Sequence, residues 1–229
     1  MAKIDRTKFK ATPLLPMLGQ YIGMQYTDLK DFVSETSNSF KDRLDSIEDL
    51  VAKEVEKHKG NQEYIDHLYD AFSDDHYKYS HTYSQFFFNA MFVSSVSLFE
   101  YFLKRVCGND KGVEKIKART SYIGKCKIYI TSIIGVDLTP FDSLWGKLEL
   151  YYKTRNTIVH EMAHIKLPKG GKPFKKQDVY KFISQSPYIK LEQGTSGFKI
   201  TDKQFIIDFT DLANDYLTKV IQKIMAEKQ

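Results

Sequence analysis

Cysteine is scarce: the 229 residues hold only Cys107 and Cys126. They form no C-x-x-C pair, and no further cysteine exists to complete a zinc knuckle. The expectation is two reduced, mostly buried thiols in a cytosolic setting. Long apolar runs are also missing, none reaching the ~20 residues that a membrane-spanning helix needs. Met1 to Lys10 is charged and lacks the apolar core of a secretory signal. A soluble, cytoplasmic protein with no membrane partner is therefore expected. Nor does charge of one sign dominate. With 34 Lys and Arg against 29 Asp and Glu, the net charge is +5, which permits an anionic partner without demanding one. There is no internal repeat and no low-complexity tract.

What is present reads as a folded helical protein. A hydrophobic share of 42% with 14% aromatics supports a packed core rather than disorder. The length allows one sizeable core. Residues 1–16, punctuated by Pro13 and Pro16, read as a loose leader, and 17–229 as a single domain. Apolar residues at Leu29, Phe32, Val33, Phe40, Leu44, Ile47, Leu50, Val51 and Val55 recur in steps of three and four. That spacing predicts a long amphipathic helix over about 26–58. Lys59-Gly60-Asn61 ends it, and a shorter helix is expected from Gln62 to Phe72. Residues 83–106 leave little polar face and predict the central helix of a bundle. Within it, Ser94, Ser95 and Ser97 are small enough for close helix approach. Glu100 is the single acid there and, if buried, requires a cationic partner.

After a connector with Gly108, Asn109 and Gly112, a helix is expected at 121–134. A turn follows at 135–140, with Thr139 as N-cap and Pro140 opening the next helix. Tyr188–Leu191 and Gly197–Ile200 flank a Gly-Thr-Ser-Gly turn and predict a small hairpin. Thr201 or Asp202 then caps a last helix through Ile224. The sum is an all-α helical bundle, its core at about 80–228, with a β-hairpin insert before the C-terminal helix.

Chemistry concentrates in Arg155-Asn156-Thr157-Ile158-Val159-His160, continued by Glu161-Met162-Ala163-His164. Two incompatible readings overlap there. His160-Glu161-x-x-His164 has the spacing of a zinc-peptidase helix, with histidines at i and i+4 sharing a metal and the glutamate activating water. Against it stand Lys166 and Arg155 beside the ligands, a third ligand only as distant as Glu192, and no run of strands to form the adjoining sheet. No metal is expected. The other reading is nucleophile activation at an RNA phosphate. A histidine near neutrality can move the proton of a 2′-hydroxyl or of the leaving oxygen. An arginine fork can hold the phosphate and offset its developing charge.

The stretch Leu148 to His160, with a polar residue following the arginine, resembles the R-x4-6-H motif of HEPN domains. Asn89 through Ser97-Leu98-Phe99-Glu100 to Leu103 resembles the helix that packs beside the motif helix in that family. Trp145, the hairpin and the final helix fit the same layout, so the resemblance covers about 80–225. It implies a homodimer in which two motifs face each other, and metal-independent RNA cleavage to 2′,3′-cyclic phosphate and 5′-hydroxyl ends. It implies catalytic Arg155 and His160 assisted by Asn156, no cofactor, and a toxin or antiviral-defence role restrained or triggered by a partner protein. Asn156 and His160 lie about 40° apart on a helix, whereas Arg155 and His160 lie about 140° apart. An arginine of one copy working beside the histidine of another resolves that mismatch.

Glu100, Glu161 and His164 are candidates for tuning the site. Lys166, Lys169, Lys172, Lys175 and Lys176 follow the motif, with Lys181, Phe174 and Tyr180 nearby, and are candidates for RNA contact. The alternative from another class is a catalytically silent module of the same type that binds nucleotide, RNA or a protein partner. The run His76 to Tyr83 is given no role.

Overall fold

The computed structural model describes residues 14–108, 110–165, 178–193 and 195–228. Four long helices dictate the architecture, and aromatic contacts fix their directions. Helix α1 (Leu14–Lys57) meets α3 (Ser84–Cys107) through Tyr26 on Phe102 at 5.8 Å and Phe40 on Phe87 at 5.5 Å, so the two run antiparallel. Between α1 and α3 lies α2 (Gln62–Tyr77), which passes through a π-helical turn (Lys78–Tyr83) into α3. Next come α4 (Asp110–Glu114), α5 (Tyr122–Ile128) with a π-helical turn to Ile134, and α6 (Asp142–Glu161). The chain finishes with α7 (Asp178–Gln185), a hairpin of β1 (Ile189–Leu191) and β2 (Phe198–Ile200), and α8 (Gln204–Lys228).

The core follows from those directions. Phe92 packs on Phe205 at 4.9 Å and Phe99 on Tyr216 at 6.3 Å, so α3 and α8 run parallel. Tyr151 sits 6.1 Å from Phe92, and Trp145 sits 5.5 Å from Tyr216, so α6 opposes both. Alternating directions let the four helices bury one continuous apolar interior, including Phe92, Phe99, Phe205, Phe209 and Leu217. A second, small cluster of Ile47, Val51 and Leu68 holds the far part of α1 against α2. The all-α class with one small hairpin before the last helix is as the periodicity predicts.

Several boundaries differ from the sequence reading, each for a physical reason. Helix α1 begins at Leu14 rather than near Tyr26, because Leu15 and Ile22 are buried against the bundle. Pro16 is tolerated there because first-turn N–H groups lack helical acceptors anyway. Helix α2 does not stop at Phe72; with no Gly or Pro between 61 and 107, the chain stays helical from Gln62 to Cys107. That helix includes an 18-residue window apolar enough, by length and composition, to cross a membrane. Scattered serines interrupt it, so a search for unbroken apolar runs passes over it. Within the helix Phe88, Phe92, Val96, Phe99 and Leu103 are buried in the bundle.

Caps also shift. Thr139 does not cap α6; its N–H and hydroxyl both donate to Asp137 Oδ1, at 3.0 and 2.8 Å, and a 3-10 turn over Thr139–Phe141 leads into the helix. Of the two candidates for α8, Asp202 does the capping, accepting from the Gln204 N–H at 2.7 Å. Cys107 and Cys126 are buried and unbridged, with the Cys107 thiol 3.8 Å from the Cys126 carbonyl.

Candidate functional site

Helix α6 presents the motif on its last two turns. Its inner face is anchored by Trp145, Leu148, Tyr151 and Thr154, all buried, so Tyr152, Arg155 and Asn156 are carried to its margin. Tyr152 donates its hydroxyl to Glu100 Oε1 of α3 at 2.9 Å, tying the two helices together. Glu100 is half-buried, and the partner it finds is this phenol. One turn on, Arg155 Nη1 donates to Asn156 Oδ1 at 3.1 Å. The Arg155 Nε is buried and, among the described residues, has no acceptor. A guanidinium with a desolvated, unused donor is poised for an anion that supplies the missing oxygen.

Tyr152 reports the electrostatics of this margin. Burial, then the Glu100 carboxylate, push its phenol up to about 12, while Arg155 and Asn156 pull the other way. A phenol raised above its unfolded value of about 10 favours the fold in its neutral form. Its contribution is whole below pH 10 and is lost as pH rises through 12. The stability advantage of wild type over Tyr152→Phe, about 1 kcal/mol at neutral pH, is thus expected to shrink between pH 10 and 12. Paired urea titrations across that range check it; a constant gap would show that the phenol does not titrate in contact with Glu100.

His160 stands in the last turn of α6 and is exposed. It is flanked by exposed apolar side chains, Val159 at 44% and Met162 at 86% exposure. The helix then stops. Met162 and Ala163 take left-handed backbone angles, φ 50° and 60°, although neither is glycine. The hairpin holds them there: Phe198 N–H donates to the Ala163 carbonyl at 3.0 Å and Ile165 N–H to the Ser196 carbonyl at 2.8 Å. His164 bridges to Gly197 and lies beyond the helix, its Nδ1 3.0 Å from the Met162 carbonyl. This corrects the expectation that the helix continues through His164. His160 and His164 therefore do not share a helical face, which the zinc reading requires. Glu192, its distant third ligand, is paired with Lys199 at 3.3 Å within the hairpin. Among the described residues no three His, Cys, Asp or Glu side chains converge as a metal site.

The structure brings Glu100, Tyr152, Asn156 and Arg155 into one polar chain, with His160 exposed beyond it. Glu161 closes the helix. Of the candidate RNA-contact lysines, Lys166, Lys169, Lys172, Lys175 and Lys176 lie outside the described residues. Lys181 is exposed on α7, which docks through Phe182 against Tyr151 at 4.9 Å. Sequence reasoning missed Tyr152. The usable signal was its position one turn before Asn156 on the same helical face.

The antiparallel pairing of α3 with α6 sets the level of His160. Since Tyr151 meets Phe92, two further turns of α6 bring His160 toward the Phe86–Asn89 end of α3. The π-helical turn, the hairpin and the end of α6 thus gather at one end of the bundle, where Tyr77 and Phe86 are exposed at 59% and 71%. Comparison of the chain with protein-family models, curated proteins and solved structures finds no match.

Proposed function

We propose that this chain is a metal-independent endoribonuclease of HEPN type, acting as a homodimer, with His160 and Arg155 central and Asn156 assisting. The observation that carries this reading is the guanidinium of Arg155, fixed by Asn156 and left with a buried, unused donor, beside an exposed histidine. In the reaction a 2′-hydroxyl oxygen attacks the adjacent phosphorus and the bond from phosphorus to the 5′-oxygen breaks. One proton leaves the 2′-oxygen and one reaches the 5′-oxygen. The products are a 2′,3′-cyclic phosphate and a 5′-hydroxyl. An imidazole suits either transfer, and Arg155 suits the phosphate charge that grows in the transition state.

A single imidazole cannot be base and acid at the same instant, whereas a two-fold pair of motifs supplies one of each. The exposed Val159 and Met162 beside His160 support a second copy on this face, since such apolar surface is better covered than wet. A toxin or defence role, with a restraining or activating partner protein, belongs to the same reading.

The attacking group gives the sharpest test. A defined single-stranded RNA that wild type cleaves at one linkage is remade with a 2′-deoxynucleotide on the 5′ side of that linkage. Cleavage there is expected to vanish, and the unmodified RNA is expected to yield cyclic-phosphate ends by mass spectrometry. Continued cutting at the deoxy site, or 5′-phosphate ends, would mean that water rather than the 2′-hydroxyl attacks.

A further inference from the structure

A cavity of about 780 Å³ opens between α1, the π-helical turn and the hairpin, at the same end of the bundle as the motif but lined by none of its residues. That size lies within the ~300–1,000 Å³ of small-molecule sites. Its floor is apolar and partly aromatic, with Phe40 from α1, Phe88 from α3 and Leu191 and Ile200 from the hairpin. Its rim is cationic. Lys41, Lys190 and Lys199 face it against one carboxylate, Glu192, which is paired with Lys199 at 3.3 Å. Among the described residues Lys41 and Lys190 have no carboxylate partner. The wall between them is π-helical, and such turns inside long helices are frequent at functional sites.

That wall supplies hydrogen-bonding groups with capacity to spare. Ser80 donates its only hydroxyl proton to the His76 carbonyl at 2.7 Å, so it accepts from His81 Nδ1, also at 2.7 Å. His81 is held further by stacking on Tyr77, ring centroids 4.9 Å apart and 7° from parallel. Its Nε2 is therefore free to accept from a ligand, or to donate when the ring is protonated. Ser84 donates to the Tyr79 carbonyl at 2.6 Å and Thr201 to the Tyr188 carbonyl at 3.1 Å, which leaves both oxygens as acceptors.

We propose that this cavity binds a mononucleotide, with the phosphate among Lys41, Lys190 and Lys199 and the base on the Phe40–Phe88 floor. A fatty acid would use the apolar floor and the lysines but not the acceptors of Ser84, Thr201 and His81, which suit the N–H and O–H groups of a base and ribose. A free inorganic anion would leave the floor unused. The site stands apart from the RNase reading, because none of its residues belongs to the motif.

The test is calorimetric titration of the full chain with AMP, GMP, CMP and UMP, and with adenosine, inorganic phosphate and decanoate as controls. At least one nucleotide is expected to bind with Kd below about 1 mM, at least tenfold tighter than adenosine, phosphate or decanoate. Lys41→Ala combined with Lys190→Ala, both exposed positions, is expected to weaken it at least tenfold with an unchanged circular dichroism spectrum. His160→Ala is expected to leave it unaltered, whatever happens to RNA cleavage. Three results would each overturn the proposal: no nucleotide binding at millimolar concentration, binding indifferent to the two lysines, or binding lost in His160→Ala. Tighter binding of decanoate, or equal binding of phosphate alone, would overturn it in favour of an acyl-chain or simple anion site.

Discussion

Replacing His160 by alanine is expected to lower RNA cleavage about a thousandfold or more while leaving the fold intact. General acid–base catalysis by a positioned side chain contributes about 10²–10⁴ to rate. A histidine shared across a two-fold site is lost from both copies at once. The structural cost is small because the ring is exposed and, among the described residues, makes no hydrogen bond. Surface changes of this kind usually stay within about 0.5 kcal/mol, so the melting temperature is expected to move by no more than about 2 °C. Single-turnover cleavage beside a thermal melt separates the two effects. A variant that keeps wild-type rate removes His160 from the chemistry, and one that melts far earlier assigns it to the fold.

The largest effect on stability is expected from Phe92→Ala. Phe92 is fully buried and touches Tyr151, Phe205 and Phe209 at centroid distances of 6.1, 4.9 and 5.8 Å. It is the side chain at which α3, α6 and α8 meet. Truncating such a ring removes its transfer free energy and leaves a cavity that three helices cannot close together, a loss of about 3–5 kcal/mol. For a chain of this size that lowers the melting temperature by roughly 6–20 °C. Urea denaturation with an unchanged slope checks that stability rather than mechanism has altered. A loss under about 1 kcal/mol would mean that the three helices do not share this core.

The two substitutions separate what the sequence makes legible from what it does not. Phe92 belongs to a helix apolar nearly all round, and its central place follows from that composition alone. The hairpin was equally legible, because a Gly-Thr-Ser-Gly turn between alternating strands leaves few other conformations. The motif residues stand out by type and spacing. The end of their helix does not. Helices commonly close on glycine, whereas this one closes on Met162 and Ala163, held left-handed by hydrogen bonds to residues more than thirty positions away. Local propensity carries no trace of such a tertiary constraint, so the i, i+4 spacing of His160 and His164 looked like a shared face and is not one. Glu100 shows the same limit. Its burial was open from the sequence, and its partner, Tyr152, lies 52 residues along the chain. The run His76 to Tyr83 carries no motif, and only its fold into a π-helical turn beside the hairpin places it in the wall of a cavity.

The account therefore rests on one claim: that the Arg155–His160 margin of α6 cuts RNA through the 2′-hydroxyl without a metal. The direct measurement is incubation of the purified chain with a labelled single-stranded RNA pool and tRNA in excess EDTA, beside Arg155→Ala and His160→Ala. Cleavage by wild type alone, with cyclic-phosphate ends, is the predicted result. Intact RNA with all three proteins, or equal cleavage by all three, would contradict it.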